Sequence, residues 1–317
     1  MMLRRLPTST ALAATALTGT LLLAACGNGS TATSGDGRLK VVASFYPMQY
    51  LAEQIGGDHL EVTGLTPAGA EPHDLELTAK QVGTVQRAGV VLYLKGLQPT
   101  VDKAVAESNA SQVVDAAAAS PLVDHHLDED TEGHDGHPSS EAAGDPHVWL
   151  DPSRYAAVAR SVGDGLAKAD PTHAADYQQR TEAVVQRLDG LDQQYRDGLR
   201  SCSGKAFVTS HAAFGYLADH YGLQQIAING VDPESEPTPA RLARIQQAAK
   251  ANGVSTIFFE TLASPKLADS VAQDLKLKTA VLDPIEGVKD PTRSDYFSVM
   301  GQNLDNLRTA LGCASGG

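Results

Sequence analysis

The chain has 317 residues, of which 42% are hydrophobic and 20% charged, a globular composition that argues against wholesale disorder. Its 25 Lys and Arg against 38 Asp and Glu give a formal charge of −13, so nucleic acid, which calls for a basic patch, is not an expected partner. The only long apolar run lies at the N-terminus, which excludes a polytopic membrane protein.

Residues 1–25 begin with Arg4 and Arg5, continue through an apolar stretch from Ala11 to Ala25, and end in Leu23-Ala24-Ala25 before Cys26. A basic start, a short apolar stretch and small residues before the cut describe an export signal. The cysteine directly after Leu-Ala-Ala resembles a bacterial lipobox, which implies cleavage before Cys26 and its acylation. Removing residues 1–25, with two Arg and no acids, takes the formal charge from −13 to −15. Residues 26–37 are rich in Gly, Ser and Thr and read as a flexible tether.

Strands are predicted over Leu39–Ser44, Leu60–Leu65 and Val90–Leu94, with helices over 48–56 and Ala79–Ala88. A loop from Thr66 to Asp74 carries Pro67, Gly69 and Pro72. Residues 121–146 hold eight acids, four histidines (His125, His126, His134, His137) and no Lys or Arg. Without hydrophobic periodicity they read as a mobile acidic loop. Asp151-Pro152-Ser153 opens a helix that Pro171 interrupts. From Thr172 to about Arg200, Tyr177, Val184, Val185, Leu188, Leu191 and Tyr195 fall near helical spacing. That predicts one helix roughly 40 Å long at 1.5 Å per residue, a rigid strut rather than a packed core element.

The second half repeats the style of the first. Strands are predicted at Ala206–Ser210, Gln224–Ile228, Thr256–Glu260 and Lys278–Leu282. Helices are predicted at Ala212–Tyr221, Thr238–Asn252, Pro265–Asp274 and Asp295–Leu311. The fold class is therefore α/β, with mostly parallel sheets. The expected layout is a lobe over 38–170, a linking helix over 171–200 and a lobe over 201–317. An exported compartment permits a disulfide, and Cys202 and Cys313 either pair across the second half or remain thiols.

Three strands end in a polar residue: His211, Glu260 and Asp283. In open parallel sheets, ligands bind beyond the carboxyl ends of strands. His73 lies in the loop after the second strand, and His147 follows Asp145-Pro146. Three histidines and one carboxylate make a tetrahedral zinc set. His59, His173 and His220 match no motif and read as structural or surface residues.

The segments Thr66-Pro-Ala-Gly-Ala-Glu-Pro-His-Asp-Leu-Glu76, Asp145-Pro-His-Val-Trp-Leu-Asp-Pro152 and Ser210-His-Ala-Ala-Phe-Gly-Tyr216 carry a resemblance. They resemble the metal motifs of the zinc/manganese substrate-binding proteins of ABC importers (cluster A-I, ZnuA/TroA-like). Phe259-Glu260 and Leu282-Asp283-Pro284 are similar to that family's later strand ends, so the likeness runs in order from about 39 to 311. It implies two lobes joined by the long helix, with the metal in the cleft between them. His73 and His147 would come from the first lobe, His211 and Asp283 from the second. Manganese and iron members usually have Glu where this chain has His211, which favours Zn²⁺ over Mn²⁺. Some zinc members use a Glu beside the first histidine, or water, as fourth ligand; Glu71 is offset by one from that position, and Glu260 would receive a histidine N–H. The loop histidines 125, 126, 134 and 137 would capture zinc at the mouth of the site.

The function expected is that of a high-affinity zinc-binding lipoprotein. It would be anchored at the outer face of the bacterial plasma membrane, act as a monomer, touch the membrane only through its lipid, and deliver Zn²⁺ to a permease subunit. The alternatives are a manganese or iron binder of the same family, or a metal-binding adhesin without a transporter. A secreted zinc hydrolase would need an open coordination position and a poised base, and the chain has no His-Glu-x-x-His or Gly-x-Ser-x-Gly motif. Little lobe closure is expected across a single uninterrupted helix.

Overall fold

The computed structural model describes residues 33–125, 144–234 and 237–314. The expected export signal, Cys26, His126, His134 and His137 lie outside these residues. Thr33 bridges Leu39, and the turn between them is held by the Ser34 backbone N–H donating to Arg38 O at 2.8 Å.

Two four-stranded sheets are present, and every described pairing within them is parallel. The first has the order β2-β1-β3-β4, with β1 at Leu39–Ala43, β2 at Leu60–Gly64, β3 at Val90–Tyr93 and β4 at Gln112–Asp115. The second has the order β6-β5-β7-β8, with β5 at Ala206–Thr209, β6 at Gln224–Ala227, β7 at Thr256–Phe259 and β8 at Lys278–Val281. Each sheet reverses direction of growth beside its first strand, and that is where crevices open.

Ten α-helices cover the sheets among the described residues. Those of the first half are α1 (Tyr46–Gly56), α2 (Ala79–Gln86), α3 (Pro99–Ala106), α4 (Ala116–Ala119) and α5 (Pro152–Ala169). The long α6 runs Ala174–Leu199, and α7 (Gly215–Tyr221), α8 (Pro239–Ala251), α9 (Lys266–Leu275) and α10 (Tyr296–Ala310) follow. Asp151 caps α5 as its sequence suggests, accepting from the backbone N–H groups of Ser153 and Arg154.

Side chains alternate across each strand and so divide the core. Val42 and Val91 face an outer layer that includes Val85 of α2 and Val101 of α3. Val208 and Ile257 face Ile245 of α8 and Val271 of α9. The other faces of both sheets share one continuous core, from Val41 and Leu92 through α1, α5 and α6 to Phe207, Phe258 and α10.

The long helix links the two lobes, and it is more than a strut. Tyr177, Val184, Val185, Leu188, Leu191, Tyr195 and Leu199 are all buried along one face. A Cβ on Gly163 of α5 would stand 2.1 Å from Thr181 Oγ1, so glycine lets α5 lie directly on α6. At the other end the Tyr195 hydroxyl donates to Met300 O of α10 at 2.8 Å. A buried stripe over about six turns must be covered by both lobes, which makes the helix their common core. Cys202 and Cys313 form a disulfide that ties the end of this helix to the end of α10. No helix among the described residues is long and apolar enough to cross a membrane.

Candidate metal centre

Four loops bring one side chain each to a single point. His73 lies after β2 on a loop pinned by buried Gln98, whose Nε2 donates to Pro72 O and Thr66 Oγ1, each at 3.1 Å. His147 opens a short helical turn, Val148–Leu150, that bridges the lobes. There the Trp149 indole N–H donates to Pro284 O at 2.7 Å, and the Tyr296 hydroxyl donates to Trp149 O at 2.6 Å. His211 follows β5, its carbonyl held by the Thr209 hydroxyl at 2.7 Å and Gln225 Nε2 at 3.0 Å. Glu286 follows β8.

The Nε2 atoms of His73, His147 and His211 lie 3.2, 3.0 and 3.2 Å from Glu286 Oε1. His147 Nε2 and His211 Nε2 are 3.4 Å apart, and all four atoms fall within 4.8 Å of one another. Bonds of about 2.0–2.1 Å to a tetrahedral zinc imply ligand-to-ligand edges of about 3.3 Å. Four edges of the group match that length, so the donor set fits zinc in size as well as chemistry. Glu286 Oε2 is buried without a hydrogen-bond partner, as for a carboxylate built to face a cation.

Buried carboxylates behind the ring hold two of the histidines. Asp145 Oδ1 accepts from His147 Nδ1 at 2.7 Å and from its backbone N–H at 2.9 Å. Glu260 Oε1 accepts from His211 Nδ1 at 2.6 Å and also from the Ser210 hydroxyl. An ionised carboxylate can only accept, so each ring keeps a proton on Nδ1 and turns Nε2 inward. Burial alone would raise Asp145, but hydrogen bonds from His125 and His147 hold it down at about 2. Burial would likewise lower both imidazoles. Asp145 and Glu286 instead raise His147, and Glu260 and Glu286 raise His211 well above the usual range. Glu286 is held well below the carboxylate range, because the charges of His73 and His211 outweigh its burial. Glu71 is pushed up to about 8, by burial first and by the Glu286 charge second.

The sequence pattern of the family described as zinc-uptake complex component A, periplasmic (ZnuA) matches residues 41–310. The chain belongs to this family. The zinc-binding protein AdcA of Streptococcus pyogenes is 38% identical over 288 residues, 86% of this chain but 56% of that protein, so the chain spans about half the length of this relative. The high-affinity zinc uptake system protein ZnuA of Bacillus subtilis is 36% identical over 301 residues, 92% of this chain and 94% of its own. The Zn(II)-bound ZnuA-like domain of Streptococcus pneumoniae AdcA is 34% identical with a TM-score of 0.72, covering 87% of this chain and 99% of that one.

Within this ZnuA-like chain, His73, His147 and His211 stand together, while Asp283, expected as the fourth donor, does not join them. Its Oδ1 accepts from the Ile285 backbone N–H at 2.8 Å, and its carboxylate also accepts from the Thr261 hydroxyl. The turn it caps puts Ile285 at φ 57 and carries Glu286 into the group. A β-branched residue in that left-handed region costs about 1–3 kcal/mol, strain of the kind found at ligand clamps. Glu286 was missed because an acid at the strand end satisfied the general rule; the signal was a second acid three residues on, before Gly287. Glu260 receives a histidine N–H, and Glu71 Oε1 accepts the His73 backbone N–H at 3.1 Å. His59, His173 and His220 pair with Asp176, Asp170 and Asp151 respectively.

Proposed function

We propose that the chain is an extracytoplasmic zinc-binding lipoprotein that captures Zn²⁺ with His73, His147, His211 and Glu286 and passes it to the permease of an ABC importer. The observation that carries this reading is the convergence of three imidazole nitrogens and one carboxylate oxygen, four of whose six separations match the edges of a tetrahedral zinc site. Family membership and the zinc-binding names of the relatives support it. Three imidazoles favour zinc over manganese, which is better served by oxygen. With four protein donors no coordination position is left open, which suits a carrier better than an enzyme. The lipobox-like segment ending at Cys26 supports attachment at the outer face of the plasma membrane, and we read the protein as a monomer.

The test is metal content and competition calorimetry on the chain from Gly27, with His211→Ala alongside. Trp149, the only tryptophan, has its ring 5.2 Å from that of His147, so its emission provides a second readout. One tightly held zinc, lost in the variant, is expected. Manganese preference, or zinc retained after the substitution, would overturn the assignment.

A further inference from the structure

His125 lies in the acidic segment expected to trap zinc loosely at the mouth of the site. The structure gives it a different place. It is almost buried, and its Nδ1 lies 2.8 Å from Asp145 Oδ2. The opposite oxygen of the same carboxylate, Oδ1, holds His147 Nδ1. Asp145 is wholly buried between the two rings, each of its oxygens facing one ring nitrogen. His125 Nε2 reaches outward to Asp219 Oδ2 at 3.2 Å, a side chain 72% exposed. One line of contacts therefore runs from the buried donor His147 through Asp145 and His125 to the surface of α7.

The seat for this arrangement is built from the other lobe. The Tyr216 ring stands edge-on to His125 at 4.4 Å. Its hydroxyl donates to Asp145 O at 2.7 Å and accepts the Val123 N–H at 2.7 Å. Val123 and Asp145 form an antiparallel bridge, so the two ends of the acidic segment are tied together on Tyr216. Gly215 makes room: a Cβ there would stand 2.6 Å from the His125 ring and 2.8 Å from Asp145 Oδ2. A glycine with no space for even a methyl group marks a fitted contact rather than a loop end resting on a surface.

We infer that His125 is a positioning residue of the metal site, fixing Asp145 and through it the orientation of His147, rather than a member of a capture loop. This rests on the zinc-binding reading above. A carboxylate held at both oxygens cannot rotate, whereas one held by His147 alone can turn with the ring it is meant to fix. Partners behind a metal ligand change metal affinity by about 10- to 100-fold when removed.

The experiment compares zinc affinity of the full chain by chelator competition across a set of variants. His125→Ala is expected to weaken zinc about tenfold. His125→Asn is expected to restore affinity to within about threefold, because its amide N–H reproduces the Nδ1 donor. In an Asp145→Ala background, His125→Ala is expected to have no further effect. The triple variant His126→Ala, His134→Ala, His137→Ala is expected to match wild type. Equal losses from His125→Ala with and without Asp145, or a loss in the triple variant as large as in His125→Ala, would overturn the inference.

A second measurement needs no metal and separates this inference from the functional reading. Exchange of the His147 Nδ1 proton with water, followed by ¹⁵N NMR of the metal-free chain, is expected to quicken at least about tenfold in His125→Ala, because Asp145, released at Oδ2, can turn and its bond to that proton opens more often. Unchanged exchange overturns the positioning role even if zinc does not bind, and quickened exchange supports it in that case too.

Discussion

Exchanging the charge at Glu286, and separately at Asp283, tests the geometry most directly. Glu286→Gln keeps the shape and one oxygen but removes the charge that faces three Nε2 atoms at 3.0–3.2 Å. A hydrogen bond or contact to a charged group is worth about 1.5–3 kcal/mol. Each 1.4 kcal/mol is about tenfold in affinity, so zinc should bind about 10- to 150-fold more weakly. Three histidines remain, so binding is weakened and not abolished, with water in the fourth position. Asp283→Asn should change affinity less than about threefold. Its Oδ1 still accepts from the Ile285 N–H, and its amide can donate to the Thr261 hydroxyl. Burial already raises the Asp283 carboxyl, so a neutral group at this position is a small departure. The assay is competition with a chelator at fixed pH, with circular dichroism to show that both variants fold. Wild-type affinity in Glu286→Gln together with a 100-fold loss in Asp283→Asn would refute the reasoning and restore the acid at the strand end as the ligand.

Zinc affinity should fall with acidification, and the sign follows from the histidines. With pKa values raised in the folded metal-free chain, protonated His147 and His211 add stability that is fully present below about pH 6.5 and fades as pH rises through their folded values. Zinc needs the same nitrogens bare, so the gap in Tm between zinc-bound and metal-free protein should widen from pH 5 to 8, as calorimetry would show; a constant gap contradicts proton competition. Replacing Cys202 and Cys313 by Ser removes a bridge between residues 111 apart. That should lower stability to denaturant by about 2–5 kcal/mol while leaving zinc affinity nearly unchanged; an equal loss of both would mean the bridge shapes the cleft. Scattering curves of metal-free and zinc-bound protein should nearly coincide, because both lobes share one core around α6; a large hinge motion would contradict that packing.

What could be read from the sequence was what local chemistry announces. The three histidines each sit beside a turn or a strand end, and the strands' apolar runs mark the two sheets. β4 and α3 escaped notice because Val113-Val114 is too short an apolar run to mark a strand and α3 opens on Pro99 after an unremarked polar Gln98. The stripe on α6 was legible as a buried face, but a stripe does not say which lobe covers it, and both do. The fourth donor illustrates the same limit. Asp283 and Glu286 differ by three residues, and what separates them is the direction of one peptide turn, set by Asp283 itself and by Asn303 donating to its carbonyl at 2.7 Å. His125 is the extreme case, since it does lie in a loop, as its polar surroundings indicate, while the role inferred for it depends on Gly215 and Tyr216, some ninety residues away. A residue that acts by holding a neighbour leaves no periodic trace, so its signal lies in the partner's environment: Asp145 is buried with a histidine ring on each of its oxygens, and which histidine supplies the second ring is decided by the fold, since three others stand closer to Asp145 in the chain.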